Sequence, residues 1–256
     1  MSALPSTLLC AVSVGRRGAA GFTLVELMVT VAIALFLLGG LLTVVQNVRQ
    51  TYGNQQALAQ LQDRQRFAMT VLTDVIQAGG YFPDPKTYTA NDALPSATNY
   101  VAGQAFWGLH SNTAPGDSIA VRYMTKQNDQ VILCDGSTNT NNPFHTYTNG
   151  FSVVAGGAAV QGGQLQCQLD TKAPVALVNG VQSMSIFYGV KRTVTNDYNV
   201  DVYLTADQMQ PADWPNISSV RVRLVFTNPL AGQPGQLGTI PFERVVAVMA
   251  RAGVHL

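Results

Sequence analysis

The stretch Gly21-Phe22-Thr23-Leu24-Val25-Glu26-Leu27-Met28-Val29, continued by an apolar run to about Val45, decides how this chain is built. From Phe22 to Val45 there are 24 residues, and Glu26 is the only formal charge among them; the next is Arg49. At ~1.5 Å rise per residue, a helix of that length covers the ~30 Å hydrocarbon core of a bilayer. The run therefore predicts a transmembrane helix over residues 22–45. Arg16 and Arg17 stand just before it, and no acidic residue precedes Glu26. The positive-inside bias puts the start of the chain in the cytoplasm and everything after about Arg49 outside.

A carboxylate within an apolar span is disfavoured by ~2.5–3.5 kcal/mol on insertion scales, so Glu26 calls for a partner or a function. Two readings stand side by side. In one, Glu26 sits near the cytoplasmic headgroups and snorkels to water. In the other, a cation is delivered to it inside the membrane. Cleavage after Gly21 creates such a cation at the new amino group of Phe22. That charge lies too close along the same helix to fold back well, so its natural partner is the Glu26 of a neighbouring subunit.

These residues carry a resemblance. Gly21 to Val29, with the basic pair before it and the apolar run after it, resembles the processing site of type IV pilins and type II secretion pseudopilins. The resemblance implies that a prepilin peptidase cuts between Gly21 and Phe22 and that Phe22 is N-methylated. It also implies that Glu26 is the carboxylate guiding the subunit into a helical filament. A second resemblance lies in Asp74-Val75-Ile76-Gln77-Ala78-Gly79-Gly80-Tyr81-Phe82, which is similar to the helix end of PilW-type minor pilins. The closing stretch Pro241 to Arg251 resembles the last strand of that group, although Ala252 stands where a small polar residue is usual.

Composition agrees with export. Of 256 residues 47% are hydrophobic and only 11% charged, so the surface must be rich in uncharged polar groups. Net charge is +1; losing Arg16 and Arg17 lowers the basic count from 15 to 13 against 14 acids, near −1. No basic surface for nucleic acid follows from that balance. In residues 1–21 the apolar Leu8, Leu9, Val12 and Val14 precede the arginines, the reverse of a secretory signal, so the retained run after them is the export signal. Pilin leaders are often shorter than 21 residues, which raises Val12 or Val14 as alternative translation starts.

No proline occurs between Phe22 and Tyr81, so one continuous helix over residues 22–78 is expected, with Gly39-Gly40 and Gly53 its weak points. Gly39-Gly40 is either a place of flexibility on assembly or a small-residue contact for a neighbouring helix. Beyond Arg49 the pattern turns amphipathic: Leu58, Leu61, Ala68, Val71, Leu72, Val75 and Ile76 recur at helical steps. Gly79-Gly80 and Pro83 supply the stop.

Residues 83–118 read as a long irregular connection, anchored by Phe106 and Trp107. Strand alternation follows in Ile119 to Tyr123, Met184 to Tyr188, Val220 to Phe226 and Val245 to Met249. Shorter strands are expected near Val131 to Cys134, Phe151 to Val154 and Gln164 to Leu169. Arg122, Arg221, Arg223 and Arg244 are expected to face outward on at least some of them, and Gly156-Gly157 and Gly162-Gly163 to bracket a hairpin loop. The predicted architecture is α+β and pilin-like. It comprises a leader (1–21), a long N-terminal helix (22–78) and a β-rich head (79–256) whose antiparallel sheet packs on the helix.

Cys10 leaves with the leader, and the remaining Cys134 and Cys167 form an even pair, which in an exported domain predicts a disulfide. No metal is expected, because two sulfurs without paired histidines fall short of four ligands. His110, His145 and His255 are scattered, and neither Gly-x-Ser-x-Gly nor His-Glu-x-x-His occurs, so no catalytic residues and no cofactor are expected. Asp197-x-Asn199-x-Asp201 has calcium-loop spacing, but Val202 and Gln208 occupy the places of the turn glycine and the bidentate acid. A solvated polar hairpin is the default there.

The reading is a PilW-like minor pilin, non-enzymatic, in the inner membrane with a periplasmic head, and incorporated into a cell-surface pilus. Resemblance implies as partners the prepilin peptidase, other minor pilins, the major pilin, the inner-membrane assembly platform and membrane lipid. It implies roles in motility, adhesion or DNA uptake, without direct nucleic-acid binding by this chain. The alternative is a type II secretion minor pseudopilin similar to the J component. An ordinary membrane-anchored binding protein predicts no processing and no need for Glu26.

Overall fold

The computed structural model describes residues 21–156, 162–193 and 200–252. Arg16, Arg17, Cys10, Gly157, Asp197, Asn199 and His255 lie outside the described residues. The chain falls into two units, one ending at Gly53 and one running from Asn54.

Helix α1 is assigned from Leu24 to Ala78. Up to Gly53 every described residue is exposed, including Leu35, Phe36, Leu41 and Leu42, and no polar face relieves the apolar ones. From Asn54 onward the same helix is amphipathic. Leu61, Gln65, Ala68, Met69, Leu72, Val75 and Ile76 are buried, on one stripe at three- and four-residue steps. The helix stops where the two glycines stand. Gly80 takes φ +80°, a backbone region that favours glycine, and a Cβ on Gly79 would collide with the ring of Phe106. Gly80 N–H then donates to Arg122 O at 2.9 Å, joining the helix end to the sheet.

The head is an eight-stranded, all-antiparallel sheet. Its strands are β1 (Phe106–Leu109), β2 (Ser118–Lys126), β3 (Phe144–Val154), β4 (Gly163–Leu169), β5 (Val175–Val190), β6 (Val202–Leu204), β7 (Ile217–Thr227) and β8 (Thr239–Ala247). Their order is β1-β2-β3-β4-β5-β7-β8, with β6 pairing the end of β5. Two short helices, α2 (Ala90–Ala93) and α3 (Met249–Ala252), complete it with 3-10 turns at Ala206–Gln208 and Trp214–Asn216. The sheet curls, so that β2 and β5 meet. The turn before β2 bonds the edge of β5 left open between its β4 and β6 pairings: Asp117 N–H donates to Met184 O at 2.8 Å, and Met184 N–H donates to Pro115 O at 3.0 Å.

The core combines the amphipathic half of α1 with Ile119, Val121, Tyr123, Phe151, Leu165, Met184, Ile186, Val220, Val222, Leu224 and Phe226. β3, β4 and most of β7 alternate these with outward residues, as a sheet covered on one face requires, whereas Val121 to Thr125 of β2 are all buried. The α+β, pilin-like architecture is as the sequence predicts.

Four details differ. Val131 to Cys134 is not a strand; only an isolated bridge joins Ile132 to Thr138, and the segment is a loop held by Tyr123 Oη donating to Ile132 O at 2.8 Å. The connection 83–118 is not irregular throughout. It holds α2, closed by a capping box between Thr89 and Asp92, and the edge strand β1, where Phe106 is buried. The last strand ends at Ala247, and Met249 begins α3. Finally, Arg122 is 3% exposed rather than outward-facing, whereas Arg221 and Arg223 lie on the outer face.

Candidate functional site

The candidate assembly segment is the start of α1. Thr23 is its cap: the Thr23 hydroxyl accepts from Glu26 N–H at 3.3 Å, and Thr23 O accepts from Leu27 N–H at 3.2 Å. Of the N–H groups that a helix leaves orphaned at its start, Thr23 satisfies that of Glu26 with its side chain, while its carbonyl accepts the first intrahelical bond. Glu26 sits three residues after the cap, where a carboxylate is favoured by the positive end of the helix dipole. Thr23-x-x-Glu26 is a capping-box spacing, a signal that sequence inspection could have used and did not. Among the described residues the Glu26 carboxylate has neither an ion pair nor a hydrogen bond, and Phe22 is 79% exposed. The segment thus presents one carboxylate and one aromatic on an apolar rod, suited to contacts with lipid and with another apolar helix.

The head holds its polar groups in structural networks. Cys134 and Cys167 are joined in a disulfide, Cα to Cα 5.8 Å, which ties the β2–β3 loop to β4. Asn149, fully buried, supports it: its Oδ1 accepts from Cys134 N–H at 2.9 Å. Arg122 has no carboxylate partner among the described residues. Its guanidinium donates to Gln104 O at 3.2 and 2.8 Å and to Pro95 O at 2.8 Å, and it stacks 4.0 Å from the Tyr100 ring centroid. A buried cation that organises carbonyls in this way pins residues 95–104 against β2. Burial pushes the Tyr100 hydroxyl up to about 12 despite that neighbouring charge.

Among the described residues His110 and His145 do not assemble a catalytic relay. His110 Nδ1 lies 2.8 Å from Asp117 Oδ1, and Asp117 also accepts from Ser111 N–H and Ile186 N–H. Ser111 Oγ bonds Thr113 instead of His110, so the adjacent serine has no base. Burial works against the charged imidazole of His110, but bonding to Asn112 and Asp117 outweighs it and raises the pKa. His145 stands 3.7 Å from Asp170. Among the described residues no cluster of three His, Cys, Asp or Glu side chains could hold a metal ion. Of the calcium-like spacing only Asp201 is described, and it accepts from the backbone of Arg192 and Thr193, 2.7 Å each.

Two family models match the chain. The model described as Type IV Pilus-assembly protein W covers residues 154–240, from the end of β3 into β8. The model of the prokaryotic N-terminal methylation motif covers residues 16–42. No curated protein matches significantly. These assignments point to a structural protein of pilus assembly, one that interacts with other pilins and their machinery. The motif and the single apolar N-terminal helix suit a single-pass membrane protein with a C-terminal head. Head and amino terminus together therefore match this chain to a PilW-type minor pilin related to the type IV pilus.

Proposed function

We propose that this minor pilin takes part in starting or capping the filament and thereby supports pilus-dependent motility, adhesion or DNA uptake. The precursor sits in the inner membrane with residues 22–45 spanning it and the head, 79–256, in the periplasm. Prepilin peptidase removes residues 1–21 by cutting between Gly21 and Phe22, and Phe22 is then N-methylated. Glu26 pairs with the Phe22 amino group of a neighbouring subunit, offsetting the cost of holding both charges in hydrocarbon. Other minor pilins, the major pilin, the assembly platform and membrane lipid are its partners. The observation that carries this reading is a carboxylate four residues after Phe22, without a partner among the described residues, on the stretch of α1 up to Gly53 where every apolar side chain is exposed.

The test is intact-mass and N-terminal peptide analysis of protein from wild-type membranes and sheared pili, alongside Glu26→Ala. The expected result is an N-methylated Phe22 start. The variant should be processed normally but lower pilus number more than tenfold. An uncut N-terminus, or normal piliation by the variant, would overturn the reading.

A further inference from the structure

The last strand of the sheet ends in a free edge that runs into a cavity. In the strand order β8 is terminal, and among the described residues it pairs only with β7. Val248 N–H donates to Ser218 O at 2.9 Å, continuing the register in which Ala247 faces Ser219. In an antiparallel ladder the inward and outward amides alternate, so Phe242, Arg244 and Val246 bond toward β7 and Glu243, Val245 and Ala247 present N–H and C=O to the open side. Among the described residues no backbone group reaches that side. Pro241 falls in the outward set, where its missing N–H costs the ladder nothing. The usable edge is therefore 242–247.

At its end lies a cavity of about 210 Å³ between the close of α1, residues 90–106 and the 214–217 turn. Its lining includes Leu94, Phe106, Trp214, Ile217, Val248 and Ala250. Arg244, Val246 and Val248 occupy alternate positions and so share one face of the strand. Arg244 is exposed and its guanidinium donates a 3.4 Å hydrogen bond to Thr73 Oγ1, with no carboxylate within ion-pair distance among the described residues.

We infer that this edge is a docking site for an extended segment of a different polypeptide, which adds a strand to the sheet beside β8. Its backbone would bond the open amides, a carboxylate would face Arg244, and a large apolar side chain four residues away would fill the cavity. Main-chain bonds provide the affinity in such pairing and the side-chain positions provide the selectivity. A second copy of this chain fits poorly. Antiparallel self-pairing centred on residue 243 or 244 opposes Glu243 to Glu243 or Arg244 to Arg244, and like charges directly opposite are destabilising, while pairing centred on 245 sets Val246 rather than a carboxylate against Arg244. This inference deepens the minor-pilin reading by naming the kind of partner its head accepts.

The test uses full-length mature protein in detergent micelles and two blocked, fluorescent octapeptides of alternating Thr and Val. One carries Asp followed four positions later by Phe, and the other has the two in reverse, to cover both strand directions. At least one should bind, measured by polarisation, and Val245→Pro should weaken it at least tenfold, because that change removes an outward N–H and leaves the β7 ladder intact. Ala250→Phe, which fills the cavity, should erase the preference for Phe over Ala in the peptide. Arg244→Glu should favour a peptide with Lys in place of Asp. Unchanged thermal melting of each variant shows that the head remains folded. Failure of both peptides to bind at 1 mM, or binding indifferent to Val245→Pro and Ala250→Phe, would overturn the inference. The outcome is independent of piliation by Glu26→Ala, so failure of this site and failure of the assembly reading are distinguishable.

Discussion

The same apolar residue types meet opposite fates in the two units of this chain. Up to Gly53, leucines, valines and phenylalanines of α1 are all exposed; from Asn54 onward their counterparts Leu61, Met69, Leu72, Val75 and Ile76 are buried, four of them at no more than 2% exposure. The difference lies in where polar residues fall. The first unit has no polar stripe, so no orientation of the helix could hide its apolar surface in a small protein core; such an all-round apolar helix needs lipid or other helices as its solvent. In the second unit Asp63, Arg64, Arg66 and Asp74 occupy the outer face, so the other face is free to dry against a sheet. One helix serves two solvents because its polar pattern changes along its length.

That contrast can be broken by paired substitutions. Leu72→Ala should destabilise the head by about 3–5 kcal/mol, the cost of a cavity at a fully buried leucine, while Leu35→Ala should leave its melting in micelles unchanged. Equal effects would mean that the two units do not divide the labour as described. Replacing both cysteines by serine should cost roughly 3–4 kcal/mol for a loop of 33 residues, read as a lower midpoint in chemical denaturation that matches the wild type once the wild type is reduced. A smaller loss is expected for Arg122→Leu. The carbonyls of Gln104 and Pro95 would lose their donor, at about 1–3 kcal/mol, and proteolysis within residues 95–104 should speed up.

The smallest effect concerns acid. Arg192 hydrogen-bonds Asp213 at 2.9 and 2.6 Å, and this bonding holds the Asp213 carboxyl below its ordinary value. A carboxyl depressed on folding contributes stability above its unfolded pKa, near 3.8, and that contribution is lost as pH falls through the folded value. Asp213→Asn should therefore flatten the acid limb of the melting profile and do little near neutrality. His110, raised on folding, has the opposite sign: its contribution is complete below about pH 6.5 and fades as pH rises through the folded value. His110→Asn should remove that decline.

Much of the fold was legible in the order of residues. Helical spacing in 58–76, the Gly79-Gly80 stop and period-two alternation in β2, β5 and β7 are local patterns. They survive in any context that offers an apolar partner. Arg122 shows where that reasoning ends. Its alternation with Val121 and Tyr123 points it outward, yet residues 95–104 fold over it, and three backbone acceptor contacts with an aromatic ring replace water. No pattern within β2 announces a lid drawn from 18 to 27 residues away. The loop around Cys134 failed as a strand for a related reason, since its backbone is held by the buried Asn149 and Tyr123 rather than by a neighbouring ladder.

By itself, then, the sequence determined what depends on residues near one another along the chain. It set the apolar span with its single carboxylate, the amphipathic continuation, the helix stop, the even cysteine pair and the α+β class. Only the tertiary structure decided what depends on segments distant along the chain: the order β1-β2-β3-β4-β5-β7-β8, the closure of β5 by Asp117, the burial of Arg122, and the free edge of β8 beside its cavity. The physical reason is that side-chain periodicity reports which face of an element is dry. Which element dries it, and which edge stays unpaired, are settled by the packing of the whole chain.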